Sequence, residues 1–87
     1  MYVHAGNNRI IRTRDIIGIF DMDTATMGTS TREYLRKAEK ENRMINIKEE
    51  IPKSFIVTSE NKKSDKVYVS QISTSALLGR ISAGIKE

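Results

Sequence analysis

The fold is decided by residues 14–21, which read Arg-Asp-Ile-Ile-Gly-Ile-Phe-Asp. This is the most apolar run in the chain, and charged residues bound it at both ends. Its apolar centre is too short for an isolated helix and is rich in β-branched and aromatic side chains. The run therefore predicts a strand.

Both faces of this predicted strand are apolar. Because side chains alternate across a strand, we expect Ile16, Gly18 and Phe20 on one face, and Ile17 and Ile19 on the other. The glycine inside the strand indicates a bulge or a close backbone contact. A strand that is apolar on both faces needs cover from both sides, and in so short a chain one cover can be a second subunit.

The size and composition limit how this chain can stabilise itself. Its 87 residues predict a single domain over residues 1–87, which buries only about 60–65% of its unfolded surface. The sequence has no cysteine and a single histidine, His4, so disulfides and a zinc site are excluded as reinforcement. Self-association remains, and we expect a homo-oligomer. Because the sequence has no leader-like or membrane-length apolar run, we expect a cytoplasmic protein without a membrane partner.

The remaining patterns predict an α+β fold. Turn chemistry at Gly6 separates two short extended runs, which indicates a hairpin. Residues 22–29 are predicted to be a polar connection. A capping box of Ser30 and Glu33 is then predicted to begin one helix, and Ser73 to cap a second. The strands are predicted at residues 2–5, 9–12, 14–21, 44–47, 54–58 and 67–72, and the helices at residues 30–42 and 74–84. We expect a small, mostly antiparallel sheet of about five or six strands with two helices. The second helix carries an apolar stripe that includes Leu77, Leu78 and Ile81.

No group of residues has the arrangement that catalysis requires. An enzyme needs a nucleophile with a base, a set of metal ligands, or paired acids in a cleft. His4 lies in a terminal strand, where a packing or surface role is expected. Asp21 and Asp23 follow a strand, and we interpret them as its solvated end rather than as a cation site. We therefore expect no enzyme activity, cofactor, metal or small-molecule substrate.

A basic segment supports a different hypothesis. The net charge of +4 favours an anionic partner. Arg12 and Arg14 are two residues apart, so an extended backbone places both on one face, with Arg9 nearby. Lys53 begins a strand that we expect to run alongside, and arginine forks suit phosphate oxygens and guanine edges. The alternative is that these are ordinary solvated or ion-paired side chains, with Asp15 as the adjacent partner.

Four segments of the chain resemble those of a known family. At residues 2–6, 14–21, 52–58 and 67–74 they read Tyr-Val-His-Ala-Gly, Arg-Asp-Ile-Ile-Gly-Ile-Phe-Asp, Pro-Lys-Ser-Phe-Ile-Val-Thr and Val-Tyr-Val-Ser-Gln-Ile-Ser-Thr, the last followed by Leu77. The chain resembles the extracellular matrix regulatory proteins RemA and RemB of Gram-positive bacteria over nearly its whole length. It is similar to the RemB branch.

This resemblance implies a small cytoplasmic protein that assembles into a ring-shaped homo-oligomer. In the RemA branch such a ring binds double-stranded DNA and activates genes for the biofilm matrix. One weak site per subunit, repeated around a ring, gains avidity without strong individual contacts. RemA-like chains carry a run of arginines where this sequence reads Glu-Glu-Ile-Pro at residues 49–52, so Arg14 and Lys53 are the basic positions that match.

The residues and the resemblance together predict a transcriptional regulator that binds double-stranded DNA as a homo-oligomer. We expect Arg9, Arg12, Arg14 and Lys53 to contact phosphates, with sequence preference read mainly through DNA shape. The alternative is an interaction or scaffold protein that does not bind DNA and partners a DNA-binding relative.

Overall fold

The computed structural model describes residues 1–6, 9–46, 51–59 and 65–85, and for residues 83–85 it describes the backbone alone. Residue 47, the predicted end of the fourth strand, and residues 49–50, where the sequence departs from the family pattern, lie outside the described residues.

These parts of the chain form six strands, three α-helices and one 3-10 turn. In chain order they are β1 (Tyr2–His4), β2 (Ile10–Arg12), the 3-10 turn (Thr13–Asp15), β3 (Ile16–Asp21), α1 (Met22–Ala25), α2 (Thr29–Lys40), β4 (Met44–Asn46), β5 (Ser54–Thr58), β6 (Lys66–Ser70) and α3 (Thr74–Ile85). The predicted α+β class is confirmed, but the structure has two sheets and three helices instead of one sheet and two helices. None of the helices in the described ranges is long and apolar enough to cross a bilayer.

The strands divide into a hairpin and a four-stranded sheet. β1 and β2 pair antiparallel, which confirms the hairpin predicted around Gly6, and the other strands have the order β3-β5-β6-β4. β4 runs parallel to β6, and the other neighbouring pairs are antiparallel. β5 is buried along its whole length and occupies the centre with β6. β3 is therefore an edge strand of this sheet.

Each face of the four-stranded sheet carries its own apolar cluster. On the side covered by the hairpin and α3, the cluster consists of Val3, Ala5, Ile11, Ile56, Tyr68 and Leu77. On the side covered by α1 and α2, it consists of Ala38, Phe55, Val57, Val67 and Val69. The side chains of β6 alternate between the two clusters, because successive residues of a strand point to opposite faces.

A bulge in β3 changes which of its side chains share a face. The register with β5 shifts between Ile16 and Gly18, so Ile17 is an extra residue in the strand. As a result, Ile16 and Ile19 pack on the hairpin side, whereas Ile17 and Phe20 lie on the α2 side. The strict alternation predicted for this strand is wrong, and the bulge predicted from its glycine is confirmed.

Gly18 also makes room for an aromatic ring. A Cβ atom at this position would lie 2.7 Å from the Phe20 ring. The Phe20 ring instead stacks on Phe55, with 5.0 Å between the ring centroids and 21° between the ring planes. An aromatic pair therefore joins β3 and β5, and it forms because Gly18 has no side chain to occupy the place of the Phe20 ring.

α1 lies where the sequence predicts only a polar connection. The Asp21 carboxylate accepts a hydrogen bond from the Thr24 N–H at 2.9 Å and caps this short helix. α2 then has Gly28 as its N-cap and no side-chain cap. The predicted capping box of Ser30 and Glu33 is wrong, because the helix already includes Ser30.

α3 begins as the sequence predicts. The Ser73 hydroxyl accepts a hydrogen bond from the Ala76 N–H at 3.2 Å. Leu77 is fully buried, but Leu78 is more than half exposed, so the apolar stripe is narrower than predicted. This stripe packs α3 against β1, which fixes the hairpin to the rest of the domain.

Candidate nucleic-acid interface

The hairpin presents an outward face beside its packed inner face. Val3 and Ile11 are opposite each other in the register and are both buried. The flanking positions of both strands are exposed, and they are Tyr2, His4, Ile10 and Arg12. The hairpin therefore carries one arginine, a phenol and an imidazole on a surface open to a partner.

Arg9 is held at the start of β2 by the turn and by an aromatic ring. Its N–H donates to the Gly6 carbonyl at 2.8 Å, and its carbonyl accepts from the Ala5 N–H at 2.9 Å. Gly6 has a φ of 108°, which an L side chain rarely adopts. The Arg9 guanidinium lies 5.7 Å from the centroid of the Tyr68 ring. Within the described parts of the chain, this exposed cation is thus positioned by a cation–π contact and not by an acid.

Arg12 forms the ion pair that the sequence analysis left open as the alternative. Its Nε atom lies 2.8 Å from Oδ2 of Asp15. The Arg12 side chain is 45% exposed, whereas that of Asp15 is 10% exposed, so the carboxylate of the pair is held inside the domain and the guanidinium lies at the surface. Because the acid offsets the charge, Arg12 has less free charge for an anionic partner.

Arg14 lies in the 3-10 turn directly before β3 and is exposed. Among the described residues, its side chain makes no ion pair or hydrogen bond. Because residues 13–15 form a 3-10 turn, the prediction that an extended backbone places Arg12 and Arg14 on one face is wrong. Arg14 is therefore a predicted contact whose charge no described side chain offsets.

Lys53 lies at the opposite end of the sheet from Arg14. In the β3–β5 register, Ile16 is opposite Thr58 and Asp21 is opposite Ser54. Arg14 precedes the first of these pairs and Lys53 adjoins the second, which puts about 16 Å of strand between them. The structure brings Arg9, Arg12 and Arg14 to the hairpin side and leaves Lys53 apart within one protomer.

Arg80 is a cation at the hairpin that the sequence analysis missed. Its Nη1 atom donates to the His4 carbonyl oxygen at 2.6 Å. The spacing of Leu77 and Ile81 in α3 does place Arg80 beside the buried stripe. However, the sequence alone does not show that this helix packs against the hairpin.

Arg43 is less available to a partner than the exposed arginines of the hairpin. The Arg43 guanidinium donates to Glu41 at 2.8 Å and to the Asp65 carbonyl oxygen at 2.9 Å. The hydrogen bond to the Glu41 carboxylate raises the pKa of Arg43, which remains fully charged. Within the described ranges there is no cluster of acids and histidine that could hold a metal ion. We therefore take the surface that carries Arg9, Arg12 and Arg14 as the candidate for binding an anionic partner.

The class that the fold and this surface define is a small, cysteine-free, basic α+β domain. A profile of the RemA-like family, described as extracellular matrix regulatory protein A-like, matches residues 2–81. The chain is also similar to a Bacillus subtilis (strain 168) protein named extracellular matrix regulatory protein B. The two are 36% identical over 80 residues, which are 92% of this chain and 89% of the relative. The chain belongs to the RemA-like family, which confirms the resemblance seen in its sequence segments.

Proposed function

We propose that this protein is a DNA-binding regulator of extracellular matrix genes that acts in the cytoplasm as a homo-oligomer, by binding and not by catalysis. The name of its relative supports a role in matrix regulation. The observation that carries DNA binding is the exposed Arg14, which has no acidic partner among the described residues and lies two residues after Arg12. Arginine side chains of this kind bind phosphate oxygens through charge-assisted hydrogen bonds.

Repetition of this surface supplies the affinity that one protomer lacks. The candidate surface of one protomer has only three arginines, one of them paired with an acid, so it neutralises only a few phosphates and its affinity for DNA is low at physiological salt. Several copies on one rigid particle bind the same duplex together, and each added contact is intramolecular. In such an assembly, Lys53 of one subunit can act next to Arg14 of another even though they are separated within the protomer.

An apolar groove supports the homo-oligomer. Ile17 is 61% exposed and Phe20 is 42% exposed, although both lie on a strand of the main sheet. They line a cavity of about 340 Å³ between β3 and α2. Apolar side chains that a small domain leaves uncovered in one place are typical of interaction surfaces.

The test of DNA binding is a gel-shift titration at several salt concentrations, with charge-reversal variants. Arg14→Glu is expected to weaken binding on all duplex sequences and to flatten the salt dependence, because phosphate contacts are lost. Lys37→Glu is the matched control, since it makes the same change of charge on the exposed side of α2. Equal effects of the two variants, or an affinity that does not depend on salt, would contradict the proposal.

A second candidate is an interaction protein that partners a DNA-binding relative. The Arg12–Asp15 ion pair and the apolar groove favour it, since the first offsets a cation and the second suits a protein partner. The same titration separates the two candidates. A protein of this second kind would not shift duplex DNA alone at any salt concentration in that series.

A further inference from the structure

The outward face of the β1–β2 hairpin carries hydrogen-bonding groups that are not arginines. Tyr2 is 65% exposed, and His4 is exposed two residues later on the same strand. Both side chains point away from the packed inner face, because Val3 between them is buried. A phenol and an imidazole suit the edges of bases, which present hydrogen-bond donors and acceptors. Phosphate contacts by arginines alone therefore leave the chemistry of this face unexplained.

The elements on this side of the domain have little negative charge. The hairpin and α3 contain no acidic residue, and Asp15, which follows the hairpin, is ion-paired and only 10% exposed. Exposed arginines flank the hairpin: Arg9 directly precedes β2, Arg14 follows it by two residues, and Arg80 donates to a carbonyl oxygen of β1. α2, on the other face of the sheet, has glutamates among its cations. The charge distribution therefore favours the hairpin, and not α2, as the side that approaches a polyanion.

Two hydrogen bonds hold the ends of β1 against the rest of the domain. The Ser70 hydroxyl in β6 donates to the Ala5 carbonyl oxygen at 2.8 Å, and the Thr13 N–H donates to the Met1 carbonyl oxygen at 3.1 Å. α3 packs against the same strand. Recognition of bases requires side chains on rigid elements, because hydrogen bonds weaken steeply when they are misaligned. The hairpin meets this requirement.

The dimensions of the hairpin fit the major groove of B-form DNA. This groove is about 12 Å wide and admits a two-stranded β-ribbon, whereas the minor groove is only about 6 Å wide. Side chains two residues apart on one strand are separated by about 7 Å, which equals about two base-pair steps. Tyr2 and His4 therefore reach bases about two steps apart when the hairpin lies along the groove.

We propose that the β1–β2 hairpin lies in the major groove of double-stranded DNA and that Tyr2 and His4 form hydrogen bonds with base edges there. This inference deepens the proposed DNA binding and rests on it. Phosphate contacts position a protein on the duplex, whereas contacts with base edges give sequence preference. The flanking arginines therefore supply affinity, and the two outward side chains of β1 supply preference. To the reading of DNA shape, this adds direct contacts over about three base pairs for each subunit.

The first test measures the affinity of the full chain for three duplexes of one mixed sequence by fluorescence anisotropy. In the second duplex every cytosine is replaced by glucosylated 5-hydroxymethylcytosine, whose sugar fills the major groove and leaves the phosphates unchanged. In the third, inosine replaces guanine, which removes the amino group of the minor groove and keeps the acceptors of the major groove. We expect the sugar to raise the dissociation constant at least about tenfold, and inosine to change it less than about twofold. Equal affinity for the unmodified and the glucosylated duplex would overturn the inference.

The second test asks which side chains give the sequence preference. A selection from random duplexes with the wild type yields the preferred sequence, and the ratio of its affinity to that of a shuffled duplex is then measured for each variant. Tyr2→Phe, which removes only the hydroxyl, and His4→Ala are each expected to reduce this ratio several-fold. Met27→Ala is the matched control, because Met27 is 79% exposed between α1 and α2, and it is expected to keep the ratio. Hairpin variants that lose equal affinity for both duplexes, or a wild type without any preference, would contradict direct reading by these side chains.

These results separate a failure of this inference from a failure of DNA binding. A wild-type protein that binds none of the duplexes at low salt would overturn the proposed DNA binding and this inference with it. Binding that Arg14→Glu weakens, but that neither the major-groove sugar nor the hairpin variants affect, would support the proposed function and overturn this inference alone.

Discussion

Gly18 is the residue at which a single added methyl group has the clearest structural consequence. Gly18→Ala is expected to destabilise the fold by about 1 kcal/mol, because the new Cβ pushes the Phe20 ring off its stacked position on Phe55. Gly79→Ala in α3 is the control, since its Cβ meets nothing within 4 Å. That change is expected to stabilise by about 0.5–1 kcal/mol through helix propensity. Urea unfolding measures both.

The cause of the Gly18 effect can be isolated in a double variant. In a Phe20→Ala background the ring is absent, so Gly18→Ala is expected to cost little or nothing. Coupling between two neighbouring positions appears as a deviation from additivity in such a cycle. An equal cost of Gly18→Ala in the two backgrounds would show that the strand itself, and not the aromatic ring, requires a glycine.

Asp15 controls how much of the Arg12 charge reaches a partner. Asp15→Asn removes the carboxylate that lies 2.8 Å from the Arg12 Nε atom. On the proposed function, this variant is expected to bind DNA more tightly at low salt, with a salt slope steeper by up to about one unit, because this carboxylate no longer offsets the Arg12 charge. The measurement is a fluorescence anisotropy titration at several salt concentrations. A weaker affinity would instead show that the ion pair positions Arg12 for binding.

At the scale of elements, α3 packs against the hairpin, and we expect its N-terminal cap, Ser73, to contribute to the stability of both. Ser73→Ala removes the hydroxyl that accepts from the Ala76 N–H, and a loss of about 1 kcal/mol in the free energy of unfolding is expected. Because α3 packs on β1 and Arg80 donates to His4, amide exchange in the hairpin is expected to accelerate as well. Ser82→Ala, an exposed change inside the same helix, is the control and is expected to be neutral or slightly stabilising.

Most elements could be predicted from local pattern, and the errors have identifiable physical causes. The hairpin, the two longer helices and the strand at residues 54–58 follow from turn chemistry and apolar spacing. α1 is missed because one turn capped by Asp21 has no periodicity to detect. The edge position of β3 does not follow from its sequence, because apolar content does not determine the order of strands. β5 is less apolar than β3 and yet lies between two neighbours.

The candidate interface could be predicted only where it is local in sequence. Arg12 and Arg14 are two residues apart, so their proximity follows from the chain, as does the option of an ion pair with Asp15. The separation of Lys53 from Arg14 depends on the antiparallel register of β3 with β5, which sequence spacing does not give. The position of Arg80 beside the hairpin depends on the packing of α3 against β1, which sequence spacing also does not give.

At the scale of the whole molecule, the proposals require that assembly and DNA binding be coupled. The candidate surface has only three arginines per protomer, one of them ion-paired, so the proposed affinity comes from several copies held on one particle. The same domain leaves Ile17 and Phe20 exposed, and it has no disulfide to strengthen its thin core. Loss of assembly is therefore expected to reduce DNA affinity even where no basic side chain is changed.

Ile17→Lys tests this coupling because it is expected to weaken assembly while it adds a positive charge. These two changes have opposite effects on the affinity for DNA. The variant gains a positive charge, so electrostatics alone would tighten its binding to DNA. If avidity supplies the affinity, binding is instead expected to weaken by at least about 100-fold, with a shallower salt dependence, because fewer phosphates are contacted per particle. Ile10→Lys gains the same charge without touching β3 and is expected to bind at least as tightly as the wild type. Anisotropy titrations with one long duplex, alongside the particle mass at the same concentrations, measure both effects. Tighter binding by a smaller Ile17→Lys particle would show that one protomer carries a complete DNA site.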